Sequence, residues 1–214
     1  MGYAEAVWLY LLLVAGTILV PGMDMAYVLA NALTAGRRSG LAAVSGIMVG
    51  GAVHTLFGTI AVGALSQMPE LLFRGMIVAG AAYMAWIGYG LVGSSVVVQD
   101  VEPTRARGNT VVFRQGLITC LINPKAYLFV LAVFPQFLRP EYGALWLQAL
   151  VLGAITVLMQ LVIYGPLALA GGRARDVLLD NPGLTIWISR GTGALFMLAA
   201  IFTAWHGITG HVGS

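Results

Sequence analysis

Residues 6–33 read AVWLYLLLVAGTILVPGMDMAYVLANAL, an apolar run interrupted by Pro21-Gly22-Met23-Asp24. About 20 apolar residues suffice for a helix to cross the hydrocarbon core of a bilayer, so this stretch is long enough to span one. A soluble core helix rarely carries Pro-Gly at its centre. A membrane helix tolerates the pair where the freed backbone groups meet partners within the protein or line a cavity. Asp24 sharpens the reading, because an acid at mid-depth costs about 2.5–3.5 kcal/mol on insertion scales. A broken helix carrying an intramembrane charge points to a transport site.

Composition extends that reading to the whole chain. Only 9% of the 214 residues are charged and 59% are hydrophobic, whereas a soluble domain carries about 25% charged residues. With a mean hydropathy of +0.90, the sequence describes an all-α integral membrane protein. Its length fits a single domain of roughly six spans of about 20 residues joined by short loops. The net charge of +3 reflects basic cytoplasmic loops. No basic run with interleaved aromatics points to nucleic acid. Cys120 is the only cysteine, which excludes an internal disulfide framework and a cysteine cage for metal. No Lys or Arg precedes Arg37, so 6–33 is expected to be a retained first span rather than a cleaved signal.

In order, span 1 (about 6–33) ends at a turn over 34–40, and span 2 covers about 41–66. Gly46 and Gly50 form a small-xxx-small face in span 2 that fits contacts within one chain or a homo-oligomer equally. After a turn over 67–70, span 3 runs about 71–93. A polar linker, 94–112, divides the chain. Span 4 (about 113–138) contains a second break at Asn123-Pro124-Lys125, and a turn over 139–142 leads to span 5 (about 143–170). The polar segment 171–183 is expected to hold a short interfacial helix around Asp176–Asp180. Span 6 covers about 184–208.

The loops after spans 1, 3 and 5, with their flanks, hold Arg37, Arg38, Arg105, Arg107, Arg114, Arg173, Arg175 and Arg190; the other face holds Arg74 and Arg139. This positive-inside bias places both termini outside the cytoplasm. At an offset of 103 residues, Pro21 falls on Pro124, and Gly40, Gly50, Gly80, Gly88 and Gly90 each fall on a glycine. Three spans per half is an odd number, so two such halves in series have opposite topology. The expected fold is therefore six transmembrane helices as two inverted three-helix repeats (1–93 and 113–214, joined by the cytoplasmic linker), with helices 1 and 4 broken at Pro21 and Pro124.

Three ionisable groups fall near mid-depth: Asp24, His54 and Lys125. Such groups usually face the bundle interior and pair with one another. The economical arrangement brings Asp24 and Lys125 together between the halves. A half-helix that restarts after Pro21-Gly22 or Asn123-Pro124 presents free amides and a partial positive charge suited to a carboxylate, and Lys125 adds a full charge. Asp24 and unwound carbonyls suit an ammonium group or a proton. The expected cargo is a zwitterion, of which an amino acid is the smallest common example. His54 is a candidate relay for protons, with Asp24. Tyr27 and Asn31 follow Asp24 by three and seven residues, share its face and are candidates to line the cavity.

No Gly-rich phosphate loop, His-Glu-x-x-His or Gly-x-Ser-x-Gly motif is present, so neither an enzyme nor a cofactor is indicated. Uphill transport would then draw on an ion gradient. A metal or inorganic-ion exporter and a non-transporting membrane scaffold are the alternatives. The first wants clustered ligands that the sequence lacks, and no metal site is expected.

Pro-Gly-x-Asp, followed by NALTAGRRSGLAAVSGIMVG (31–50) and His54, resembles the first half of the LysE/RhtB amino-acid exporters. TCLINPKAYLFVLAVFPQFL (119–138) is similar to the second diagnostic segment of the RhtB branch, and GAAYMAWIGYGL (80–91) fits its third span. The chain departs at Met23, where the family usually has a second proline. The resemblance implies export of amino acids or derivatives (homoserine, threonine, leucine, homoserine lactones, basic amino acids) across the bacterial inner membrane, driven by proton motive force. It carries Pro21, Gly22, Asp24, Asn123, Pro124 and Lys125 over as the central site.

Overall fold

In the apolar stretches Pro21 and Pro124 lie at helix boundaries, whereas Pro135 and Pro166 sit inside continuous helices. Helix α1 (Tyr3–Leu19) stops where Val20 turns extended (φ −64°, ψ 121°) ahead of Pro21, as a residue preceding proline is biased to do. Helix α2 (Met23–Leu65) restarts three residues later with Asp24 in its first turn, where the helix dipole favours negative charge. Its 43 residues would measure about 64 Å if straight, twice the roughly 30 Å of a bilayer core. The helical conformation is instead interrupted at Ala35 and Gly36. Gly36 has φ +77°, a conformation open chiefly to glycine. The exposed Arg37 and Arg38 follow it.

The computed structural model describes residues 2–65, 70–93, 107–171, 173–174, 177 and 180–209. The described elements continue with α3 (Glu70–Gly93), α4 (Asn109–Leu121), α5 (Pro124–Phe137), a 3-10 turn (Pro140–Tyr142), α6 (Leu145–Ala170) and α7 (Pro182–Thr209). The described residues form helices and no strand. Of the expected linker, 94–106 lies outside the described residues, and α4 begins at Asn109, four residues before the expected start of span 4. The expected interfacial helix around Asp176–Asp180 falls almost wholly outside the described residues.

By length and composition, three helical stretches among the described residues can each cross a membrane: Met23–Ala64, Leu145–Ala170 and Pro182–Trp205. The pair α4 and α5 passes the same test as one broken unit, bent by 49°. Large apolar side chains point outward all around, among them Trp8, Phe57, Trp86, Trp187 and Trp205. In water so much exposed apolar surface would drive association; in lipid it is the expected exterior.

Glycines set the closest helix crossings. A Cβ on Gly46 would run into the Phe113 carbonyl of α4, one on Gly50 would meet Cys120, and one on Gly116 would meet the Ala43 carbonyl at 2.7 Å. The Gly46/Gly50 face is thus used within the chain, against α4. Helices α3 and α7 meet through Gly88 and Gly193, where a Cβ on either would lie 2.6–2.7 Å from the carbonyl of the other. Inside, Tyr10 is fully buried, with its ring 5.6–6.2 Å from those of Phe129, Phe134 and Phe137 of α5.

Candidate functional site

A proline leaves one carbonyl without its helical partner, the one four residues before it. For Pro21 that carbonyl is Thr17, and for Pro124 it is Cys120. Both are taken by side chains from the other half of the chain. Lys125 Nζ donates to Thr17 O (2.9 Å) and to Val20 O (2.8 Å), the next carbonyl exposed by the break. His54 Nε2 lies 3.0 Å from Cys120 O. A carbonyl only accepts, so Nε2 is the donor of that pair.

The second break is built for a helix start. Asn123 caps α5 with its side-chain oxygen, which accepts from Lys125 N at 3.0 Å, and Pro124 occupies the first turn, where its missing donor is harmless. Lys125 is thereby held beside Gly22, where a Cβ would come within 3.2 Å of its ammonium. The narrow gap explains glycine after Pro21.

A cavity of about 50 Å³, open to water-sized centres, lies between the two breaks. That is room for a few water molecules. Helix α1 contributes Tyr10, Val14, Thr17 and Ile18; α2 contributes Asp24, Gly51, His54 and Thr55. Cys120 of α4 and Lys125, Ala126, Phe129, Val130 and Phe134 of α5 form the opposite wall, and Thr156, Gln160 and Tyr164 of α6 complete it. Asp24, His54 and Lys125 all line this one cavity. The Lys125 ammonium donates to the carbonyls of Thr17 and Val20 at the end of α1, while Asp24 lines the same cavity.

Asp24 is 5% exposed and its Oδ1 has no hydrogen-bond partner. The Asn123 amide and Lys125 are its neighbours. Asn123 Nδ2 is itself buried without a bond of good geometry, as is Gln160 Oε1. Buried polar atoms are nearly always satisfied, and two of these open ones, on Asp24 and Gln160, belong to residues that line the cavity.

The remaining candidates divide. Pro21, Gly22, Asn123 and Pro124 shape the breaks beside the cavity. Tyr27 and Asn31 do not line it. The Tyr27 hydroxyl donates to Val112 O (2.9 Å) on α4 and approaches Gln115, which also accepts from Arg107, while Asn31 bonds back to Tyr27 O. They share the Asp24 face of the helix but sit one and two turns further along it. Sequence reasoning passed over Tyr10, Thr156 and Tyr164. The signal for two of them is a polar stripe at four-residue spacing in the very apolar α6: Gln148, Thr156, Gln160 and Tyr164. Among the described residues, no group of three His, Cys, Asp or Glu converges on one point.

Fold and site together define a multi-pass helical membrane protein with a largely apolar cavity, lined by a few polar and charged side chains, among helices α1, α2, α4, α5 and α6. The chain belongs to the LysE type translocator family, whose model matches residues 15–207. It is 33% identical over 195 residues to an uncharacterized membrane protein of Pseudomonas aeruginosa, covering 89% of this chain and 90% of that one. It is 27% identical over 201 residues to the homoserine/homoserine lactone efflux protein of Salmonella typhimurium, covering 92% and 96% of the two chains. It is also 30% identical over 132 residues to the leucine efflux protein of an Enterobacter species, covering 61% and 63%. No solved structure matches it.

Proposed function

We propose that this protein is a secondary transporter that exports amino acids or small amino-acid derivatives from the bacterial cytoplasm. The observation that carries the reading is the pair of unpartnered buried acceptors on residues lining the cavity, Asp24 Oδ1 and Gln160 Oε1, with the Lys125 ammonium lining the same space. Acceptors and a cation around one cavity suit a zwitterion. Asp24 takes the cargo's ammonium group. The Asn123 amide, the open first turn of α5 at Ala126 and the third N–H of Lys125 take its carboxylate. Membership of the translocator family and likeness to named efflux proteins support export over the scaffold and metal readings.

The architecture proposed is a single domain of six spans in the inner membrane, made of inverted repeats 1–93 and 113–214 joined by a cytoplasmic linker, with both termini outside the cytoplasm. Helix contacts support it, because they survive exchange of span 1 with 4, 2 with 5 and 3 with 6. Helix α1 packs on α6 as α2 packs on α4, and α3 packs on α7. The offset of 103 that relates Pro21 to Pro124 also relates Thr17 to Cys120, the two carbonyls clasped from the opposite half. Alternating access then rocks one repeat on the other, with Asp24 and His54 Nδ1 exchanging protons as Asp24 loses and gains its cargo.

The test is efflux of a labelled amino-acid panel from vesicles, with and without a pH gradient. Asp24→Asn and Lys125→Ala should each lower the rate by about a hundredfold, the equivalent of roughly 3 kcal/mol for stranding a buried charge partner, while the protein still inserts. Normal efflux by both variants would sink the site.

A further inference from the structure

Helices α1 and α7 meet where a Cβ on Gly16 would lie 2.9 Å from the Thr192 side chain. Glu5 and Leu9, earlier in α1, stand instead with residues 195–202 of α7, so the two helices run antiparallel. Between the start of α1 and the end of α7 lies an open groove of about 390 Å³. Leu195, Leu198, Ala199 and Phe202 follow one another at the three- and four-residue steps of a single helix face, opposite Glu5 and Leu9. Ala199 is 3% exposed and Leu198 65%, so the first forms the floor and the second the rim. The volume is that of about a dozen water-sized groups, and the α7 stripe extends roughly 10 Å along the helix. The groove therefore has room for the upper part of a lipid's acyl chains. Of the described residues that line it, only Glu5 is polar. Aromatic side chains of the kind that gather at headgroup level mark the same end of both helices: Trp8 and Trp205, 66% and 67% exposed, and Tyr3, whose ring lies 5.4 Å from that of Tyr142.

We propose that this groove binds a phospholipid with a primary ammonium headgroup, phosphatidylethanolamine, in the leaflet at the start of α1, with its acyl chains against Leu9, Leu195 and Ala199 and its ammonium on Glu5. Charge complementarity selects the occupant. A carboxylate at the mouth of the groove accepts N–H from an ammonium, receives none from a trimethylated headgroup, and repels a lipid of net negative charge. Glu5 Oε2 accepts from Gly2 N at 2.9 Å, a bond that steadies the side chain; a carboxylate has about four acceptor sites, so capacity is left for the headgroup. None of the groove's lining residues lines the central cavity, and the lipid site stands whether or not the exporter reading does. A lipid seated there wedges the first helix of one half of the chain against the last helix of the other.

The experiment mixes the full chain, purified in mild detergent, with phosphatidylethanolamine, phosphatidylcholine and phosphatidylglycerol of identical acyl chains, and counts the retained lipids by native mass spectrometry. The wild-type protein should retain phosphatidylethanolamine over each of the others by about threefold to fivefold, the range of an exposed charge pair. Glu5→Gln keeps an acceptor for Gly2 N and removes the charge; it should bring the ratio to phosphatidylcholine near one while lipid of both kinds is still bound. Ala199→Leu, which raises the floor of the groove, should lower the retention of all three. Equal retention of the three lipids by the wild-type protein overturns the proposal, as does no retention, and neither result needs a variant to fold. Preference for phosphatidylglycerol overturns it in favour of an anionic lipid held elsewhere. An unchanged ratio in Glu5→Gln, or unchanged retention in a folded Ala199→Leu protein, overturns the assignment to this groove.

Discussion

Proline at 21 removes the helical donor to a single carbonyl four residues upstream, which Lys125 answers, and His54 adds a second donor to the Cys120 carbonyl, which also accepts from Asn123 N. Lys125 on Thr17 and Val20, and His54 on Cys120, each join one half of the chain to the backbone break of the other. Hydrogen bonds to charged groups are worth about 1.5–3 kcal/mol each, so Lys125 is a structural clasp as well as the proposed cargo contact. Asp24 has the opposite character, with Oδ1 buried and unmatched. Lys125→Met should therefore destabilise the purified protein by roughly 2 kcal/mol or more, while Asp24→Asn should leave stability unchanged or raise it. Thermal unfolding in detergent reads both, and equal losses would remove the distinction between clasp and open site. Charge and depth alone identify the three residues in the sequence. Their partners are not legible there, because matching acid to base ignores the carbonyls that each proline strands. Tyr27 and Asn31 show a related limit: helical spacing gives a shared face but not the height at which a cavity ends.

At the scale of elements, the local rules of the chain are strong enough to be read directly. Pro21 and Pro124 end helices, Gly36 and Gly143 take positive φ in turns, and the long apolar runs become the long helices. Helix packing is half legible. The Gly46/Gly50 spacing predicts a close contact, but naming α4 as the partner requires the fold. The same contact separates glycines that serve packing from those that do not. Gly46→Ala forces a Cβ into the α4 backbone and should destabilise by about 1–3 kcal/mol, as overpacking does. Gly90→Ala in α3, where no atom lies within 4 Å of the added Cβ, should be neutral or stabilising by up to about 1 kcal/mol through helix propensity. Thermal unfolding of the two variants checks this. The α6 stripe went unread for another reason. Scattered Gln, Thr and Tyr in an apolar helix look like incidental polar residues until Tyr10 and Gly51, from distant segments, are seen opposite them.

For the whole molecule, the proposed exchange of repeats makes one demand that a static bundle does not: the space between the breaks must open to each side in turn. Cys120 is the only cysteine in the chain and lines that space, so the natural protein already contains its own reporter. The carbonyl of the same residue is the one that His54 clasps, which ties the reporter to the element expected to move. A membrane-impermeant maleimide should alkylate Cys120 slowly from the cytoplasmic face in inverted vesicles and from the opposite face in right-side-out vesicles. Saturating cargo should slow the reaction severalfold, because it fills the cavity between Asp24 and Gln160. Asp24→Asn should abolish that protection without closing either route, since it removes a cargo contact and leaves both clasps intact. Alkylation from one face only, under every condition of pH and cargo, would mean that the two breaks form a fixed pocket rather than the hinge of a transporter.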